Sequence, residues 1–197
     1  MDSPLDVNEN QAPQTNPHHT FRNELRGWAR DLLIAVGLAM AVIIFLYQPV
    51  KVEGTSMAPL LADHERIFIN KFVYRFEAIQ RGDVVVFWYP QDRTKSFIKR
   101  VVALPGETVE LRKGNVYIDG KVLYEPYVPI QFADVSNFGP VVVPDGYFFV
   151  LGDHRNSSND SRVFGPVPDS FIYGKAVFSY WPVSRFGAIP AAADNPK

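Results

Sequence analysis

Residues 108–124 read TVELRKGNVYIDGKVLY. Alternating segments are interrupted there by two turn signals, Gly114-Asn115 and Asp119-Gly120, and the pattern predicts a small β-meander. Strand character continues outward in both directions. Asp83-Val84-Val85-Val86-Phe87-Trp88-Tyr89 is a short β-branched and aromatic run. Pro144-Asp145-Gly146 makes a turn before Tyr147-Phe148-Phe149-Val150-Leu151, and Tyr173 to Tyr180 reads as a late strand. Sixteen prolines and thirteen glycines leave little room for long helices in this part of the chain. The expected fold is mainly β: an antiparallel sheet domain with few short helices, with residues 105–150 as a small β insertion.

One segment departs from that pattern. Leu32 to Val50, LLIAVGLAMAVIIFLYQPV, is nineteen residues without a formal charge. As a helix it would span roughly 28 Å, near the hydrocarbon thickness of a bilayer. The junction Tyr47-Gln48-Pro49-Val50-Lys51 lacks the small residues of a cleavage site, so a permanent anchor fits better than a removable leader. Arg22, Arg26 and Arg30 precede it and put the amino end on the cytoplasmic side. Residues 1–20 are polar and expected to be mobile. The expected organisation is a disordered tail and basic flank over 1–31, a transmembrane helix over 32–50, an extracytoplasmic domain over 51–185 and a tail over 186–197.

Composition removes several classes of function. The chain of 197 residues has a net charge of −1, which argues against nucleic acid as a partner. It has no cysteine, which excludes disulfides, thiolate metal sites and a cysteine nucleophile. Two of its four histidines sit in the polar tail; His64 and His154 alone make a poor metal site, and no cofactor is expected.

What remains is a hydroxyl and an amine. Ser56 lies in Gly54-Thr55-Ser56-Met57-Ala58-Pro59-Leu60, and Lys99 in Phe97-Ile98-Lys99-Arg100-Val101-Val102-Ala103-Leu104-Pro105-Gly106-Glu107. Serine is a poor nucleophile until a base removes its proton. A lysine can be that base if burial brings its pKa from about 10.4 to near 7 or 8. On a strand, Lys99 shares a face with Phe97 and Val101, opposite Ile98 and Arg100. A third segment, GDHRNSSNDSRVFGPVP over 152–168, packs Asp153, Arg155, Asp160 and Arg162 among serines and suits a bracing network. Each segment alone also reads as an ordinary turn, a surface lysine or a solvated loop.

Together these segments, with Arg81-Gly82-Asp83-Val84-Val85-Val86-Phe87, resemble type I signal peptidase, in its compact single-anchor bacterial form. The resemblance runs in order from the apolar run to about residue 182. It implies a membrane-bound serine endopeptidase that removes signal peptides from exported preproteins after small residues, through an acyl-enzyme. It implies Ser56 as nucleophile, Lys99 as general base, and Ser158 hydrogen-bonded to the Lys99 amine. It implies paired Asp160 and Arg162, paired Asp153 and Arg100, and the Ser56 backbone N–H as an oxyanion donor. Gly54 stands where one branch of the family carries a side-chain donor, so the second donor is open: a backbone amide or water. His154 stands where asparagine is commoner and reads as tolerated. Implied partners are preproteins, the lipid bilayer of a plasma or thylakoid-like membrane, and an export translocase. Two rivals are an inactive membrane-anchored scaffold of the same fold and a self-cleaving repressor-type protease. The second would need a DNA-binding head that residues 1–31 do not offer.

Overall fold

The structure, a computed structural model, describes residues 17–192. Of the expected tails, residues 1–16 and 193–197 lie outside the described residues. Helix α1 runs Pro17–Leu46, so residues 17–20 of the tail expected to be mobile are helical, as is the basic flank over 21–31. Proline suits the first helical position, where its missing N–H has no partner to lose. Arg, Glu, Leu and Ala then carry the helix toward the apolar stretch. The described apolar side chains from Leu32 to Phe45 are all exposed.

The expected transmembrane helix over 32–50 needs correction at its carboxyl end. The helix stops at Leu46, and Tyr47–Lys51 forms a strand. The uncharged helical stretch 32–46 therefore covers only about 22 Å. Among the described residues, no helix is long and apolar enough to cross a membrane.

A second compact unit begins at Ile44. Its strands are β1 (Tyr47–Lys51), β2 (Arg66–Asn70), β3 (Val84–Tyr89), β4 (Asp92–Ala103), β5 (Thr108–Arg112), β6 (Asn115–Ile118), β7 (Lys121–Val122), β8 (Phe138–Val142), β9 (Tyr147–Leu151), β10 (Val167–Pro168), β11 (Ile172–Trp181) and β12 (Gly187–Ala188). Beyond the end of α1, the α-helix among its described residues is α2, the single turn Ser161–Phe164. All described pairings are antiparallel, as expected of a chain dominated by hairpins and short connections.

The larger sheet runs β1-β2-β11-β3-β4-β9-β10, with β12 beside β11. The smaller runs β7-β6-β5-β8 and lies within the stretch expected as an insertion. Its first turn is Lys113-Gly114, with φ of 48° and 82°, one residue earlier than Gly114-Asn115. The second is Asp119-Gly120, with φ of 50° and 77°. Positive φ at both central residues matches the twist of a hairpin.

Three apolar clusters hold these layers. Ile67, Ile69, Val84, Val86 and Ala176 meet Val52, Met57 and Leu61. Val85, Phe87, Val101, Phe148, Val150 and Ile172 form a second cluster. The third joins the sheets: Val102, Ala103, Phe149 and Leu151 of the larger pack with Val109, Leu111, Val116 and Ile118 of the smaller. β4 gives Val101 to the second cluster and Val102 and Ala103 to the third, and its half-buried Ile98 packs against the first. β9 pairs with it only over Arg100–Ala103, so β9 leaves that edge of β4 uncovered from Asp92 to Lys99. Phe149→Ala should lower unfolding stability by about 3–5 kcal/mol, as expected for a large ring lost from a closed core; equilibrium denaturation measures it.

Candidate active site

β4 carries the amine to the edge of the sheet. Its register sets Lys99 opposite Val85 and Val101 opposite Val150, which puts Lys99 on the face of the second cluster. The residue is 4% exposed. Its Nζ donates to Ser56 Oγ at 2.7 Å and to the Ile98 carbonyl at 3.0 Å, with the Phe97 ring centre 5.3 Å away. Burial lowers the Lys99 pKa from 10.5 to about 8, against the opposing pull of the Asp160 and Asp153 carboxylates.

The serine reaches the same point from a tight loop. Gly54 adopts φ +90°, a region that favours glycine, and its N–H donates to Asp63 Oδ1 at 2.8 Å. Ala58 N–H closes the turn onto the Thr55 carbonyl at 2.9 Å. Met57 then sinks into the first cluster and fixes the loop from below. The Ser56 N–H has no acceptor among the described residues.

Residues 152–162 brace both groups. Arg100 donates from Nε and Nη2 to the two oxygens of Asp153, at 2.9 and 2.7 Å, with both side chains buried. Arg100 Nη1 also donates to the Gly82 carbonyl at 2.8 Å, which ties the strand-start motif to the same pair. Asp160 caps α2, accepts from Gly152 N–H at 3.1 Å and pairs with Arg162 at 2.8 Å. A fully hydrogen-bonded buried pair holds its geometry firmly, because either charge left alone is heavily penalised.

The expected Ser158 bond to Lys99 is not formed. The Ser158 hydroxyl is buried and has no partner among the described residues, while the amine is engaged by Ser56 and Ile98. Sequence reasoning also missed a group of residues with no motif of their own. Glu125 binds Arg155, whose Nη1 donates to it at 2.8 Å, and Tyr127 lies under Arg100 at 4.2 Å. Asp134 takes a 2.6 Å contact from Arg162. They come from the loop between β7 and β8, where nothing in the local pattern announces a partner 28 or 30 residues onward.

A cavity of about 770 Å³ opens beside Ser56 and Lys99. Val50, Val52, Ile67, Val86, Ile98 and Tyr173 give it an apolar lining. It receives residues 50–52 at the end of outermost β1 and residues 94–98 of the β4 edge, so two strand borders meet it. Among the described residues no cluster of acidic or histidine side chains could hold a metal.

Gly152 is the tightest point of the site. A Cβ added there would fall 2.4 Å from the Ser56 carbonyl oxygen and 2.2 Å from Ser158 Oγ. Gly152→Ala should push the Ser56 loop away from Lys99, with a loss of turnover and a stability decrease of about 1–3 kcal/mol; a turnover assay beside a melting curve checks both. The dry amine has a consequence for stability. The folded chain releases the Lys99 proton near 8, while an ordinary lysine holds it to 10.5. Between those values the unfolded state binds more protons, so stability rises with pH. Lys99→Met should be more stable than wild type below pH 8, by about 3 kcal/mol. That difference should close toward pH 10.5 in melts across pH.

Comparison with known proteins identifies the family. Residues 25–181 match the family described as signal peptidase, peptidase S26. The chain is 42% identical to a probable signal peptidase I-1 of Synechocystis sp. (strain ATCC 27184 / PCC 6803 / Kazusa), over 80% of this chain and 83% of that one. It is 40% identical to a signal peptidase I of Bacillus amyloliquefaciens, over 79% of this chain and 84% of that one. A solved signal peptidase I from Enterococcus faecalis V583 aligns at 33% identity with a TM-score of 0.46, over 50% of this chain and 97% of that one. The chain belongs to the signal peptidase family, peptidase S26.

Proposed function

We propose that Ser56 and Lys99 form the dyad with which this serine endopeptidase removes signal peptides from preproteins. The carrying observation is the 2.7 Å contact between a hydroxyl and an amine that burial keeps easy to deprotonate. Once the amine is neutral, the same contact runs from hydroxyl to nitrogen. Lys99 takes the Ser56 proton as Oγ attacks the scissile carbonyl, and an ester-linked acyl-enzyme forms. The amine then gives that proton to the leaving nitrogen, and water activated by the same lysine releases the acyl group. The free Ser56 N–H is the proposed oxyanion donor. Ser158, whose hydroxyl lacks a partner, is proposed to take the remaining amine hydrogen. Arg100, Asp153, Asp160 and Arg162 hold the frame.

The substrate is read as an extended chain lying in the 770 Å³ cavity, paired with strand edges and placing small side chains on its apolar lining. We further propose attachment to a membrane through the helical stretch 32–46. The exposed apolar side chains from Leu32 to Phe45, preceded by Arg22, Arg26 and Arg30, support it. The bilayer and an export translocase are the partners this arrangement would meet.

Ser56→Ala and Lys99→Ala should each abolish cleavage of a preprotein; near-normal processing by either would refute the dyad. In wild type, kcat/KM should climb about tenfold per pH unit from acid solution and level off above about 8, since only the neutral amine accepts a proton. A profile flat through pH 6 to 8 would remove Lys99 from the base role.

A further inference from the structure

We infer that His154 is a positioning residue: its Nδ1–H grips the Thr55 carbonyl and so aims the Ser56 N–H as an oxyanion donor. The inference rests on the Ser56–Lys99 reading and adds a part to it.

His154 Nδ1 lies 3.1 Å from the Thr55 carbonyl oxygen. A carbonyl can only accept, so Nδ1 carries the hydrogen. The Thr55–Ser56 peptide is trans; the cis bonds among the described residues are Ala58-Pro59, Gly139-Pro140 and Trp181-Pro182. In a trans peptide the carbonyl and the following N–H share one plane and point in opposite directions. A grip on the Thr55 oxygen is therefore a grip on the direction of the Ser56 N–H. His154 also donates its backbone N–H to the Ser56 carbonyl at 3.1 Å. The peptide groups on both sides of the nucleophile are thus held by one residue.

The loop needs that outside hold. Ala58 N–H also reaches the Thr55 oxygen, but it belongs to the same turn and would move with it. Gly54, just before, has no side chain to wedge the backbone, and a Cβ there would meet nothing within 4 Å. His154 arrives from a segment 99 positions later. Its neighbour Asp153 is locked to Arg100, and its ring rests on Phe132 with centroids 4.2 Å apart. The imidazole is in this way fixed on two sides before it reaches the carbonyl.

The test compares His154→Asn, His154→Leu and His154→Asp with wild type and Ser56→Ala. Each is assayed for kcat and KM on a purified signal-peptide-bearing preprotein and for melting temperature. Asparagine places an N–H within the reach of Nδ1, whereas leucine and aspartate offer none. The expected result is a kcat lower by about 10- to 100-fold in His154→Leu, short of the loss when an oxyanion donor is deleted outright. KM should stay near wild type, and His154→Asn should keep most of the rate. If His154→Leu fails to fold, the Asp and Asn variants, alike in shape, carry the same comparison. Equal kcat in the donor-bearing and donor-lacking variants would overturn the role of His154. Cleavage by Ser56→Ala would instead overturn the reading on which it rests.

Discussion

An amine can serve as a base near neutral pH when burial lowers its pKa, and β4 places Lys99 where that condition is met. Lys99 sits one residue before the point where β9 joins β4. On the covered side the strand is sealed by Val101, Val102 and Ala103. On the uncovered side an extended peptide has room to approach. The amine therefore lies at a boundary between dry core and open groove. Deeper burial would close off the serine, and more exposure would restore the ordinary lysine pKa.

Charge is managed with the same economy. Two carboxylates, Asp153 and Asp160, lie near enough to act on Lys99, and each would favour its protonated form. Both are engaged by arginines, Asp153 by Arg100 and Asp160 by Arg162. Pairing neutralises much of their field and spares the amine from it. The Arg100–Asp153 pair pins residues 152–162 against β4, and the Asp160–Arg162 pair ties the segment to itself. Glu125 and Asp134 extend this lattice into the loop between β7 and β8, so the smaller sheet contributes to holding the site in place.

Backbone groups matter as much as side chains. Gly152 has no Cβ because the Ser56 carbonyl and Ser158 occupy that space. His154 holds the successive carbonyls of Thr55 and Ser56. The loop around Ser56 is consequently shaped less by its own residues than by the segment that lies across it. Position 54 is a glycine and offers no side-chain donor beside Ser56.

The mainly β fold was legible because β3, β9 and β11 are short apolar runs bounded by turn residues, and such runs declare themselves locally. The meander of the smaller sheet was legible for the same reason, apart from a one-residue shift that left Asn115 at the start of β6. The end of α1 was not. Tyr47–Val50 continues an uncharged run, and hydropathy does not distinguish helix from strand there. Pairing with β2 decided it, on an outer strand where Pro49 has no ladder bond to forfeit. Ser56, Lys99 and the polar segment could be named from sequence, since each stands in a distinctive frame. The contacts of Glu125, Gly152 and His154 were decided only by tertiary structure. A residue's chemistry is local, but hydrogen bonds and close packing depend on which distant stretch of chain the folded sheets bring alongside it.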